Sequence, residues 1–156
     1  MKWLIFSYIL FLIDNRTKRE AEARLKIGAK PVPIAGGRVL LRRVSNKGMA
    51  GGFLPEKSEK VRMASTAAGA IIGLSFLCEI PRKRRFFSKA GLALLTAGAA
   101  GNLYDRWNRG SVTDFLSIGN GEGKPTKAVF NLADVMILAG GMLLIPTKLF
   151  DGGKKR

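Results

Sequence analysis

Four apolar runs, over residues 1–13, 63–80, 86–103 and 128–145, alternate with strongly basic connections. This pattern restricts the chain more than any other feature. A helix rises about 1.5 Å per residue, and an apolar layer about 30 Å thick needs about 20 residues to cross it. Three of the runs approach that length. The first covers only about 20 Å at that rise, so its helix is expected to continue through Asp14 toward residues 18–26, with long basic side chains snorkelling. It could pass for a signal peptide, but Asp14-Asn-Arg-Thr-Lys18 follows where a small-residue cleavage site would stand. The third run carries Ala90, Gly91, Ala97, Gly98, Ala99, Ala100 and Gly101, small residues that let helices approach closely in lipid. The fourth is expected to end at Pro146, before a basic tail.

The length of 156 residues fits one domain. A net charge of +16 suits either a nucleic-acid-binding protein or a membrane protein with basic flanks facing anionic headgroups. The apolar runs favour the membrane and argue against nucleic acid. The chain has no His, which removes Ser-His and Cys-His catalysis and most zinc sites. Cys78 is the lone cysteine; it permits no internal disulfide and reads as a small buried residue of an apolar helix.

The fold expected is that of a mainly α membrane protein: four transmembrane helices, near 1–14, 63–80, 86–104 and 128–146, and a small extracytoplasmic β-sheet. Residues 15–62 supply a basic helical stretch, a break at Lys30-Pro-Val-Pro-Ile-Ala-Gly-Gly37, and a short strand at Arg38–Val44. Residues 105–127 form the other outer segment, polar and glycine-rich, with Asp114 in a short extended link. The basic loop at 82–85 and the basic tail put both termini in the cytoplasm by the positive-inside rule, although 15–62 carries 13 Lys/Arg against four in that loop. With four spans, Asp14, Asp105, Asp114 and Asp134 fall on one side.

Carboxylates beside apolar spans are costly and mark functional sites. Asn102, Asp105 and Arg106 share a helix face if the third helix reaches them; Arg106 could then pair with a carboxylate. Asp134 opens the last run, where a helix N-terminus favours negative charge. Asn131 is itself a good N-cap, which makes Asp134 less necessary as one. If Asp114 and Asp134 approach, they share a proton. One can then activate water while the other protonates the carbonyl oxygen or leaving amine. That amide hydrolysis requires no metal and no cofactor.

Three segments in order, Gly101-Asn-Leu-Tyr-Asp-Arg106, Gly110-Ser-Val-Thr-Asp-Phe115 and Phe130-Asn-Leu-Ala-Asp134, resemble the motifs of lipoprotein signal peptidase, the signal peptidase II family. Asp14-Asn-Arg-Thr-Lys18 resembles the end of that family's first helix. Asn46-Lys-Gly-Met-Ala-Gly-Gly-Phe53 resembles its sheet motif, with Met49 inserted and Gly51 displaced. The resemblance implies an aspartic endopeptidase of the bacterial cytoplasmic membrane, with its site at the extracytoplasmic face. Asp114 and Asp134 would be the catalytic pair, supported by Asp14, Asn46, Asn102, Asp105, Arg106 and Asn131. The substrate implied is a prolipoprotein, cut on the amino side of a diacylglyceryl-modified cysteine by a monomer surrounded by lipid. A non-enzymatic paralogue of the same fold is the alternative; it would not need both aspartates.

Overall fold

The structure, a computed structural model, describes residues 1–48, 58–119 and 125–151. Four long helices carry the fold: α1 (Lys2–Arg24), α2 (Ser58–Glu79), α3 (Phe86–Arg109) and α4 (Leu132–Asp151). Strands β1 (Val32–Ile34), β2 (Val39–Asn46), β3 (Val112–Gly119) and β4 (Pro125–Phe130) form one antiparallel sheet in the order β1-β2-β3-β4.

α1 runs on through Asp14 as its charged second half requires. α3 stops at Gly110, whose φ of 73° is the left-handed conformation that glycine adopts at little cost. Arg106 and Arg109 occupy its last turn, where the helix end favours cations. The turn at Gly110 feeds directly into β3. There Asp114 lies opposite Val44, after a register shift between Leu41 and Val44.

Four sequence expectations need correction. Residues 128–130 belong to β4, not to the last helix; their apolar residues join an outer strand before Asn131 begins the helical turn. α4 also continues past Pro146 to Asp151. The sheet is larger than expected from 15–62 alone, because β3 and β4 both come from the second polar segment and extend it beyond β2. Cys78 is exposed rather than buried: α2 packs mainly on α3, which leaves much of its circumference facing outward. Among the described residues only Glu59–Glu79 is long and apolar enough to cross a membrane by length and composition, and Leu132–Ile145 is a shorter apolar stretch. α1 falls short by that measure because its second half carries Asp14, Arg16, Lys18 and Arg19, and α3 because Lys89 and Asn102 interrupt a run rich in small residues.

The packing places apolar residues outside and polar ones inside. Ile5, Tyr8 and Ile9 of α1, Ile71 and Leu74 of α2, Phe86 and Phe87 of α3, and Leu138, Met142 and Ile145 of α4 are all exposed. Asp14, Lys18, Asp105 and Asn131 are completely buried. The apolar core itself is small, built on Ala97, Ala133 and Met136 with Leu10, Leu94 and Leu132 against it.

Close helix approach makes that interior possible. A Cβ on Gly91 would come within 2.9 Å of the Gly140 carbonyl oxygen, so α3 and α4 touch backbone to backbone. A Cβ on Gly101 would overlap the Asp14 carboxylate. Gly101→Ala should therefore lower stability by about 1–3 kcal/mol, the usual cost of overpacking. Gly141→Ala, with open space around it, should be neutral or raise stability by up to about 1 kcal/mol through helix propensity. Thermal unfolding of both variants in detergent checks the pair.

Candidate active site

Charges alternate across the α1–α3 contact. Asp14, Lys18 and Glu22 recur every four residues on α1 and meet Asn102, Asp105 and Arg109 on α3. Lys18 Nζ lies 2.8 Å from Asp14 Oδ2 and 3.2 Å from Asp105 Oδ2, and it donates to Asn102 Oδ1 at 3.0 Å. Arg109 Nη1 reaches Asp105 Oδ1 at 3.1 Å and Glu22 Oε1 at 2.7 Å. Thr113 closes this end of the ladder: its hydroxyl donates to Glu22 Oε1 at 2.6 Å, and its N–H donates to Asp105 Oδ2 at 3.3 Å. Asp14 uses its other oxygen to accept the Ala133 N–H at 2.8 Å, in the first turn of α4. One buried carboxylate thereby ties α1, α3 and α4 together.

The ladder orients an amide relay. Lys18 has only hydrogens to offer, so Asn102 must turn Oδ1 toward it. The Asn102 Nδ2 then points the other way and donates to Asp134 Oδ1 at 2.9 Å. Asn131 Nδ2 donates to Asn102 Oδ1 at 3.2 Å and to Asp114 Oδ1 at 2.6 Å. Asn46 Nδ2 donates to the second Asp114 oxygen at 2.9 Å. Asn46 is itself held by the Gly48 N–H, which donates to its Oδ1 at 3.0 Å. Asp114 and Asp134 come from a strand and a helix, and the amides of Asn131 and Asn102 link them.

Asn131 and Asp134 also form a reciprocal cap on α4. The Asp134 N–H donates to Asn131 Oδ1 at 3.0 Å, and the Asn131 N–H donates to Asp134 Oδ2 at 3.1 Å. Both residues are therefore needed at this helix start, in the capping-box pattern. Asn131 does not relieve Asp134 of the role.

Burial raises the Asp114 carboxyl from its ordinary 3.8 to about 6. The Asn46 hydrogen bond opposes this, the Asp134 charge adds to it, and the Asn131 bond and the Lys18 charge oppose it. Desolvation dominates because Asp114 is only 2% exposed. Arg106 donates to the carbonyls of Asn102 and Gly48, at 3.5 and 3.2 Å, rather than to a carboxylate as expected. Burial lowers its guanidinium, while the charges of Asp134, Asp114 and Asp105 act in the opposite direction.

The structure thus gathers all eight residues singled out in the sequence: Asp14, Asn46, Asn102, Asp105, Arg106, Asp114, Asn131 and Asp134. Residues 49–53 of the Asn46–Phe53 motif lie outside the described residues. Sequence reasoning left Lys18, Glu22, Arg109 and Thr113 out of the site. Lys18 was expected to snorkel but is completely buried. The four-residue repeat of alternating charge over Asp14, Lys18 and Glu22 was the signal available. Among the described residues no cluster of three or more His, Cys, Asp or Glu side chains is placed to hold a metal ion.

A family profile described as "Signal peptidase (SPase) II" matches residues 6–150. The chain belongs to the signal peptidase II family. A lipoprotein signal peptidase of Fusobacterium nucleatum subsp. nucleatum is 31% identical over 156 residues, spanning all of this chain and 91% of that one. One from Burkholderia cenocepacia is 37% identical, over 94% of this chain and 87% of its own length. A bacterial membrane enzyme solved by the in meso method at 2.3 Å superposes with a TM-score of 0.80 at 24% identity, covering 99% of this chain and 92% of that one. A second, solved by the same method at 1.9 Å, gives 0.76 at 25% identity over 95% and 92%. As a signal peptidase II, the chain is a peptidase of lipoprotein precursors, and the expected removal of signal peptides from prolipoproteins stands.

Two outcomes test this signal peptidase II site without its substrate. Lys18→Met leaves Asp14 and Asp105 buried without their shared cation, and should cost about 3–5 kcal/mol. Arg24→Gln, which removes the exposed Arg24–Glu20 pair, should cost less than about 1 kcal/mol. Denaturant unfolding of both variants compares them. The raised Asp114 carboxyl has its own sign: the folded state holds the proton more tightly than the unfolded chain. Its contribution to stability is therefore greatest below about pH 4 and falls as pH rises from 3.8 to about 6. Asp114→Asn should remove that fall, worth up to about 3 kcal/mol, from the stability-versus-pH curve.

Proposed function

We propose that this chain is an aspartic endopeptidase of the bacterial cytoplasmic membrane, with Asp114 and Asp134 as its catalytic pair. The single observation that supports this reading best is the amide relay, which holds two carboxylates from different elements around a shared set of donors. Asp134 accepts the Asn131 N–H at a helix start and an amide N–H from Asn102. It is the base that takes a proton from the attacking water. Asp114, raised to about 6, is the acid. Its pKa rises further when substrate covers the site and excludes water. It protonates the carbonyl oxygen as the tetrahedral intermediate forms. Proton return through the pair then lets the amine leave.

Four membrane-crossing helices are part of the same reading. The ring of exposed apolar residues on α1, α2, α3 and α4 supports it, because a surface this apolar is unusual for a protein surrounded by water. With four spans both termini lie in the cytoplasm, and the sheet and the carboxylates lie at the extracytoplasmic face. The signal peptide then lies in the membrane and is cut on the amino side of the diacylglyceryl-modified cysteine. In this reading a monomer is the working unit.

Purified protein in detergent should cleave a diacylglyceryl-modified prolipoprotein, and Asp114→Asn or Asp134→Asn should lower turnover by at least about a thousandfold while leaving the protein folded. Near-normal turnover of either variant would remove that residue from the pair. Arg106→Ala, which loses hydrogen bonds to carbonyls and a charge near the carboxylates but no direct ion pair, should retain measurable turnover.

A further inference from the structure

Arg16 and Arg19 lie about one turn apart on α1, just beyond its apolar half. Both are exposed, and neither meets a carboxylate among the described residues. They line one side of a groove of about 390 Å³ whose other walls are Phe11, Leu12, Asn15 and Tyr104. Phe11 and Tyr104 meet edge to face there, with ring centroids 6.0 Å apart. Asn15 is only 8% exposed. Its Nδ2 donates to the Phe11 carbonyl at 3.2 Å, but its buried Oδ1 has no hydrogen-bond partner. A buried acceptor left without a donor is costly and rare in a native structure.

These groups specify a ligand. Two guanidiniums with no ion-pair partner among the described residues suit a phosphate. The orphaned Asn15 oxygen needs a hydrogen-bond donor beside that phosphate. The aromatic and leucine walls suit the start of an acyl chain. We propose that this groove binds one anionic glycerophospholipid whose headgroup carries a free hydroxyl. Arg16 and Arg19 hold the phosphate, Asn15 turns its Oδ1, covered in this structure, to accept a hydrogen bond from the hydroxyl, and an acyl chain descends along Phe11 and Leu12. The depth agrees: the apolar half of α1 ends at Ile13, so the arginines reach headgroup level. A diacylglyceryl group on a substrate is uncharged and has no use for the two arginines. The site rests on the membrane seating proposed above and is independent of the catalytic pair.

Binding can be measured without substrate. Purified protein in neutral detergent is titrated with phosphatidylglycerol, phosphatidylmethanol or phosphatidylcholine, and retained lipid is counted by native mass spectrometry. The first two carry the same charge, but only the first has headgroup hydroxyls. One phosphatidylglycerol should be retained in preference to both others. The Arg16→Gln/Arg19→Gln double variant should lose roughly tenfold or more of the preference for anionic lipid. Asn15→Ala should keep that preference but lose discrimination between phosphatidylglycerol and phosphatidylmethanol. Lys26→Gln/Lys30→Gln removes the same charge from exposed positions outside the groove and should change nothing. Equal losses in the two double variants would show diffuse attraction only and overturn the site, as would equal retention of phosphatidylcholine by the parent. Cleavage activity enters neither result, so failure here leaves the catalytic proposal standing, and the reverse also holds. Thermal unfolding of Asn15→Ala separates lost binding from lost fold; if that variant unfolds, Asn15→Leu, which has similar size and no acceptor, should lose the discrimination and keep the anionic preference, and a folded variant without the Asn15 oxygen that still discriminates would overturn the hydroxyl contact.

Discussion

A lysine ammonium removed from water must find replacements for nearly all of its hydration. Lys18 does so with two carboxylates and one amide oxygen, and all three lie within hydrogen-bonding reach. The penalty of burying these charges is large and is offset only when every partner is in place. The arrangement therefore tolerates little variation in the separation of α1 and α3. Gly101 allows the Asp14 carboxylate to sit against the α3 backbone. Asp14 in turn caps α4 from across the interface. The spacing of three helices depends on a single buried cation.

The same cation determines which way the site amides face. Lys18 fixes the Asn102 oxygen, Asn102 presents its NH2 to Asp134, and Asn131 completes the link to Asp114. A relay of neutral amides between two carboxylates stabilises their charges only weakly compared with a direct cation. This is why desolvation still dominates at Asp114. Arg106 is close enough to influence the carboxylates through space, yet spends its hydrogen bonds on carbonyls. The site keeps a positive charge nearby without locking either aspartate into an ion pair, which leaves a carboxyl free to exchange a proton near neutral pH.

Much of this was legible in the sequence, but unevenly. Helix periodicity placed Asn102 and Asp105 on one face, and the three motifs from Gly101 to Asp134 identified the carboxylates that the fold brings together. Their linkage through Asn102 and Asn131 is a tertiary fact: Asp114 reaches the relay because β3 pairs with β2 and sets Val44 opposite it, a register that local spacing does not encode. Lys18 was misread because a long basic side chain beside an apolar run normally snorkels; its burial becomes favourable only when Asn102 and Asp105, distant in the chain, join Asp14 around it. Residues 128–130 looked like part of an apolar helix, since a short apolar run carries no period that separates strand from helix.

Carbon-13 NMR of carboxyl-labelled aspartate in the purified protein would test the coupling of the two carboxylates most directly. The Asp114 resonance, assigned by its loss in Asp114→Asn, should titrate near pH 6, and its midpoint should fall in Asp134→Asn because a neighbouring negative charge has gone. A midpoint near the ordinary 3.8, or one unmoved by Asp134→Asn, would contradict a proton-sharing pair.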